Sequence, residues 1–273
     1  SQQEIKLNTD IASLTEELHT SHEKFKELKE EYDNAMQMHK QVEANWKKGV
    51  AELEENAKNT VESCQISGDW LWILDPLDGT KDFIQGTGNY AMHLALNFKQ
   101  KPILGVVLVP EKNELWFSNG KKAWGEKRDR TQIKPKLAKK ISLENMILVT
   151  SKNHRNEELK KLIKKIYFEK VIIKGSIGCK FVSIIKGESD IYISLSLPNK
   201  SSPKDWDFAA PEAILRAAGG TVTNIDNKEL SYNQKNYEQG GIIVASSNKE
   251  IHHDICSEIK QIIKEYNIYP FAT

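Results

Sequence analysis

Cysteine is scarce in this chain of 273 residues: Cys64, Cys179 and Cys256 stand far apart, with no C-x-x-C pair. That excludes a disulfide framework and a zinc ribbon, and a reducing, cytoplasmic setting is the expectation. Net charge is nearly absent, with 39 Lys and Arg against 38 Asp and Glu. The chain therefore lacks the basic footprint of a nucleic-acid binder, and any polyanion must meet a local site. No apolar run approaches the ~20 residues of a membrane-spanning helix, Pro102 to Pro110 being among the longest. No period of about 20 to 50 residues marks a solenoid. What remains is ample for a core: 39% of residues are hydrophobic, enough for one large domain or two smaller ones and too many for wholesale disorder.

The first fifty residues contain no proline and a single glycine, Gly49, in a Glu/Lys/Gln-rich background that favours helix. A 3.5-residue stripe runs through Leu7, Ile11, Leu14, Leu18, Ser21, Phe25, Leu28, Tyr32, Ala35, His39, Val42, Trp46, Gly49 and Leu53. Ser21, His39 and Gly49 weaken that seam, so two readings stand side by side. One is a long amphipathic helix packed on its own domain, the other a coiled coil through which the chain self-associates. A chain opening on Ser1 reads as a processed or trimmed product.

From about Trp70 short apolar runs alternate with Gly, Pro and Asn, the pattern of strands interleaved with helices. Trp70 to Leu74, Ala91 to Phe98, Ile103 to Val109 and Glu114 to Ser118 predict strands, the last three as an antiparallel meander with one buried face. The basic stretch Lys127 to Lys140 is expected to break the pattern at a subdomain boundary. Beyond it the sequence predicts strands at Met146 to Thr150, Val171 to Lys174, Asp190 to Leu195 and Gly241 to Ala245. Helices are predicted around Leu159 to Tyr167, at Lys180 to Lys186 and at Asp207 to Ala218, the last closed by Gly219-Gly220. A terminal helix carries Ile251, Ile255, Ile259 and Ile262 at helical spacing.

Chemistry concentrates in Trp72-Ile73-Leu74-Asp75-Pro76-Leu77-Asp78-Gly79-Thr80-Lys81-Asp82-Phe83. An apolar strand ends in an aspartate, proline shapes the turn, and a second aspartate leads into Gly-Thr at a helix start. Two carboxylates and the Leu77 carbonyl suit a hard divalent cation, and the N–H groups of Gly79 and Thr80 suit phosphate oxygens. An Asp-Pro turn followed by an Asp cap accounts for the same spacing without any ion. A second acidic cluster, Asp205-Trp206-Asp207-Phe208-Ala209-Ala210-Pro211-Glu212, opens a helix ending in Ala218-Gly219-Gly220; capping explains one of its carboxylates and not the combination.

Together these pieces resemble the D-P-[LI]-D-G-T and W-D-x-A-A…A-G-G signatures of the lithium-sensitive, magnesium-dependent phosphatases of the inositol monophosphatase superfamily. Lys81-Asp82-Phe83, Lys101 to Val107 and Gly175 to Lys180 resemble its branch of 3'(2'),5'-bisphosphate nucleotidases related to bacterial CysQ. The resemblance covers roughly Glu54 to the carboxyl end. It implies a layered α-β-α-β-α fold over 54–273, which the sequence pattern divides into a sheet-rich half to about 135 and an α/β half after it; composition places the helical segment 1–53 before it. It also implies removal of a 3'-phosphate from adenosine 3',5'-bisphosphate or its sulfated form, a step belonging to sulfur assimilation, with an inositol or sugar phosphate as the alternative substrate. Carried onto this chain, Glu54, Asp75, Asp78, Asp207 and the Leu77 carbonyl would hold two or three Mg²⁺ ions, with Li⁺ inhibition expected. Thr80, Glu55 and Asp78 would serve the attacking water, while Leu77, Gly79, Thr80, Ser176, Lys180 and Asp207 would meet the substrate. Metals suit a dianionic ester, and no protein nucleophile is needed. No C-x₅-R loop, G-x-S-x-G elbow or H-E-x-x-H helix is found.

The chain departs from the family upstream, where no P-V-T-x-A-D counterpart is found; Thr9-Asp10 and Asp33 fall at the wrong distances. A coiled-coil interaction protein with an impaired phosphatase domain is the reading from another class. Gly86-Thr87-Gly88-Asn89-Tyr90-Ala91 matches G-x-G-x-x-A, but the strand-turn-helix context of a dinucleotide fold is missing, so a loop is expected. His19, His22, His252 and His253 lack partners at ligand spacing and read as surface residues. The basic cluster from Lys121 to Lys140 reads as a solvated loop.

Overall fold

The computed structural model describes residues 12, 14–34, 36–38, 40, 41, 44, 48, 68–151 and 156–270. The chain divides into two units, 1–67 and 68–273. In the first, residues 14–34 and 36–38 are helical (α1), and the side chains described there are exposed, Leu14, Leu18, Phe25 and Leu28 among them. The seam positions Leu7, Ile11, Ala35, His39, Val42, Trp46, Gly49 and Leu53 lie outside the described residues. Among the described residues, no helix is long and apolar enough to cross a membrane.

The second unit begins with the expected meander, extended by a strand at one end and two at the other. β1 (Trp70–Asp78), β2 (Ala91–Phe98), β3 (Lys101–Val109), β4 (Glu114–Ser118), β5 (Ala123–Lys127) and β6 (Gln132–Ile133) form a six-stranded sheet in sequential order, each antiparallel to the next. The basic stretch from Lys127, expected to break the pattern, first turns the chain into β6: Lys127 N–H donates to the Thr131 carbonyl at 2.9 Å. Glu114, Lys186 and Glu188 meet in a half-buried ionic cluster beneath this sheet.

On β2 the buried face carries the smaller and more polar residues. Ala91, His93, Ala95 and Asn97 of β2 are buried, while Met92, Leu94, Leu96 and Phe98 stay partly exposed on the other face. The reason is helix α5 (Asp205–Ala218), which lies so close that a Cβ on Gly105 of β3 would stand 2.4 Å from the Ala210 carbonyl oxygen and 2.9 Å from Ala213 Cβ.

A second sheet has the order β10-β11-β9-β7-β8, built from β7 (Ile147–Thr150), β8 (Lys170–Ile173), β9 (Ile191–Ser196), β10 (Thr221–Asn224) and β11 (Gly241–Ser246). β7 pairs in parallel with β8 and β9; the other pairings are antiparallel. Strand alternation sends neighbouring residues into two cores. Val149, Tyr192, Ile243 and Ala245 join a core with helix α4 (Ile177–Ile185), α5 and the first sheet. Leu148, Ile191, Ile193 and Val244 join another with α3 (Glu157–Lys165) and α6 (His252–Glu265). Burial on both faces explains why these strands read as continuous apolar runs. The layering is thus sheet, helix pair, sheet, helix pair, and the short helix α2 (Thr80–Ile84) follows β1.

Helix boundaries shift by a turn at most. α4 starts at Ile177, because the Ser176 side chain accepts from Cys179 N–H and caps it there. In α6 Ile263 is buried in place of the expected Ile262. His252 is a correction: it is 2% exposed, with Nδ1 2.7 Å from the Ser246 hydroxyl and Nε2 2.8 Å from that of Thr223, and burial lowers its pKa to about 4. Its two partners lie on β11 and β10, which no local spacing reveals. His253, with a side chain 70% exposed, is at the surface as expected.

Valine in place of Gly105 would push α5 off the first sheet, an overpacking change that should cost about 1–3 kcal/mol. A lowered midpoint with unchanged slope in denaturant titration of Gly105→Val is the expected result.

Candidate metal centre

Asp75, Asp78 and Asp207 each offer one ligand atom, and the three atoms lie within 4.8 Å of one another. Two come from the end of β1 and one from the first turn of α5, more than a hundred residues away. β1 and β2 change register between Asp75 and Asp78, and this irregularity at Pro76-Leu77 brings both carboxylates to the same end of the strand.

Every one of the three is anchored by a backbone N–H. Leu77 donates to Asp75 Oδ1 at 3.0 Å, Gly178 to Asp78 Oδ2 at 3.1 Å, and Lys204 to Asp207 Oδ2 at 2.6 Å. Each keeps a second oxygen for a cation. Asp207 does cap its own helix, as the bland reading held, and it faces the other two aspartates as well. Its neighbours in sequence serve the scaffold. Asp205 accepts from Gln239 at 2.7 Å and from Asn233 N–H at 2.6 Å. Glu212 accepts from Arg216 at 2.6 Å and from the Tyr232 hydroxyl. Pro211 has no N–H to give the Asp207 carbonyl four residues back, which loosens the helix at that turn.

Charge is poorly balanced here. Burial first, and then the neighbouring Asp78 carboxylate, push Asp75 up to about 6 and Asp207 up to about 8. Lys180 is the buried cation nearby. It is 2% exposed, donates to the Gly175 carbonyl and lies 5.5 Å from the Tyr192 ring centroid. Burial lowers its pKa, opposed by Asp78 and Asp207. Clustered carboxylates that resist ionising together are what a hard divalent cation relieves, so the donor set fits Mg²⁺.

The remaining expected residues surround this cluster. Gly79 caps α2 at φ +89°, a left-handed conformation that glycine adopts without strain, and a Cβ there would lie 2.9 Å from the Asn89 carbonyl oxygen. The Thr80 hydroxyl donates to the Leu77 carbonyl at 3.1 Å, joining the proposed water-orienting residue to the proposed backbone ligand. Ser176 is buried beneath the loop, its N–H donating to Asn89 O at 2.9 Å. The Gly86 to Ala91 segment is the turn between α2 and β2, as expected. Glu54 and Glu55 lie outside the described residues.

One residue the sequence reading missed is His93, 1% exposed, with Nε2 3.2 Å from Asp78 Oδ2 and Nδ1 3.2 Å from the Trp206 carbonyl oxygen. The signal for it was faint: a polar residue on the small-residue side of an alternating strand.

Asp207 holds a proton in the folded metal-free chain from about pH 4 to about 8, where the unfolded chain has lost it. Folding stability from this group therefore falls as pH rises through that window, and a bound cation reverses the loss. Calorimetry in chelator should show the parent losing thermal stability relative to Asp207→Asn between about pH 6 and 8, and Mg²⁺ should raise the parent's melting temperature more at pH 8 than at pH 6.

The chain is 35% identical over 170 residues to the 3'(2'),5'-bisphosphate nucleotidase CysQ of Buchnera aphidicola subsp. Acyrthosiphon pisum, covering 62% of this chain and 61% of that protein. It is 34% identical over 162 residues to the CysQ of Escherichia coli strain K12, covering 59% of this chain and 61% of that protein. The matches thus span less than two thirds of these relatives. Among solved structures, CysQ from Bacteroides thetaiotaomicron superposes with a TM-score of 0.57 at 30% identity, covering 67% of this chain and 72% of that one. A Thermotoga maritima IMPase gives 0.58 at 26%, covering 73% and 72%. The profile of the inositol monophosphatase family matches residues 3–264, and the chain belongs to that family.

Proposed function

We propose that this chain is a Mg²⁺-dependent phosphomonoesterase that removes the 3'-phosphate of adenosine 3',5'-bisphosphate or its sulfated form. The observation that carries the reading is the trio of partly buried aspartates, each pinned through one oxygen to a backbone N–H and gathered within 4.8 Å. The preference for a nucleotide rests on the CysQ relatives. Asp75, Asp78, Asp207 and the Leu77 carbonyl would hold the metal, with Glu54 as a further ligand and Glu55 in support. The same reading brings two or three ions and inhibition by Li⁺ with it.

Mg²⁺ held there would offset the charge of the dianionic ester and lower the pKa of the attacking water toward neutrality. The protein's own residues supply placement. Thr80, held by its bond to the Leu77 carbonyl, orients the water, and the N–H groups of Gly79 and Thr80, in the first turn of α2 where no earlier helical carbonyl exists to accept them, meet phosphate oxygens. Lys180 places a buried positive charge beside Asp78 and Asp207, which limits how far the carboxylates repel an incoming anion.

Phosphate release from adenosine 3',5'-bisphosphate, measured beside inositol 1-phosphate, tests this reading. Release should require Mg²⁺, favour the nucleotide, and fall at least about 100-fold in Asp78→Ala, since a metal contributes several kcal/mol of charge stabilisation. Preference for inositol phosphate would replace the nucleotidase reading with the other branch of the family; release without metal would overturn both.

A further inference from the structure

We propose that His93 is a positioning residue for the metal centre: its imidazole is wedged between the two acidic motifs, packs against the Asp78 carboxylate, holds through Nδ1–H the turn of α5 that carries Asp207, and thereby sets the affinity for the divalent cation. The inference rests on the metal-centre reading above and adds to it a residue outside both signature motifs.

His93 sits in the middle of β2, opposite Asp75 of β1 and Val107 of β3 in the sheet register. Residues directly opposite in an antiparallel pair share a face, so the imidazole stands beside Asp75 on the side of the sheet that α5 covers. Nδ1 lies 3.2 Å from the carbonyl oxygen of Trp206, which can only accept, so Nδ1 carries a hydrogen and donates it. The peptide it meets is the one leading directly into Asp207. Nε2 rests 3.2 Å from Asp78 Oδ2, the oxygen that also accepts from Gly178 N–H at 3.1 Å. That contact is not a well-directed hydrogen bond, and Nε2 has no other partner. A nearly fully buried ring nitrogen held without another partner against a carboxylate of the metal cluster is costly unless the arrangement serves the cluster.

The ring is also confined. A Cβ on Gly178 would fall 2.2 Å from Nε2, so the imidazole fills the space that glycine leaves at the start of α4. One side chain from β2 therefore touches the carboxylate of the first motif, the backbone of the second, and the helix turn whose N–H anchors that same carboxylate. If it is removed, Asp78 keeps one anchor and gains room to rotate, and the β1 end is no longer tied to the α5 start. A partner that holds the uncoordinated side of a metal-binding group commonly governs affinity by about 10- to 100-fold.

Calorimetric titration of the full chain with Mn²⁺, without substrate, separates this role from simple filling of space. His93→Phe keeps most of the volume and removes both nitrogens, while His93→Gln keeps a polar end able to reach one of the two contacts. His93→Phe is expected to bind Mn²⁺ about 10- to 100-fold more weakly, with a melting temperature in chelator close to the parent's, and His93→Gln is expected to recover part of the loss. In turnover, the Mg²⁺ concentration for half-maximal rate should rise in His93→Phe more than kcat at saturating Mg²⁺ falls. Equal Mn²⁺ affinity in parent and His93→Phe would overturn the proposal, as would equal losses in His93→Phe and His93→Gln. If His93→Phe does not fold, His93→Gln decides alone, parent-like affinity at unchanged chelator stability again overturning it and weakened affinity upholding it. A parent chain that binds no Mn²⁺ would overturn the metal-centre reading itself, and the role of His93 with it.

Discussion

Three carboxylates gathered within 4.8 Å repel one another, and burial sharpens the repulsion by removing the water that would screen it. The rest of the second unit can be understood as the scaffold that holds this arrangement in place. Backbone N–H groups from three separate places, Leu77, Gly178 and Lys204, each fix one oxygen. Burial first, and the Asp78 charge after it, favour the protonated forms of Asp75 and Asp207 in the metal-free chain, so both pKa values stand high. A divalent cation would relieve the repulsion without the proton, and metal binding would then be coupled to folding stability through the same groups.

Holding the aspartates requires that α5 be placed accurately against the first sheet, and the packing there is unusually close. Gly105 and Ala95 leave room for the helix backbone, and Ala209, Ala210 and Ala213 on the helix answer with small side chains. At its start α5 is tied to the 233–239 segment through Asp205, and further along to Tyr232 through Glu212. Neither carboxylate belongs to the metal cluster, although both share its acidic run of sequence. Three neighbouring acids therefore divide into one that faces the other aspartates and two that fix position, and the burial of Asp205 and Glu212 is tolerated because each is hydrogen-bonded through both oxygens.

How much of this could be read beforehand varied with the range of the interaction. Strand alternation in Ala91 to Phe98 and the glycine pair after Ala218 are local signals, and both elements stand where they were expected. Asp75 and Asp78 were legible because a strand end, a proline and a Gly-Thr turn occupy adjacent positions. The buried side of β2 was not legible, since hydrophobicity favours Met92 and Leu94 inward, while the close approach of α5 selects Ala91, His93 and Ala95. His252 misled for the same reason: its partners Thr223 and Ser246 come from two strands of another sheet.

From the sequence alone came the element types, the lack of a C-x-x-C pair and of nucleophile-loop motifs, and the two acidic motifs with the family they resemble. These depend on spacing along a chain whose covalent geometry is the same everywhere. The tertiary structure decided that Asp207 joins the cluster while Asp205 and Glu212 do not, that Gly178 supplies an anchor, and that His93 stands between the motifs. Those outcomes depend on which atoms meet across separations of up to 132 positions, as between Asp75 and Asp207, and such encounters are set by the packing of α5 and α4 between two sheets.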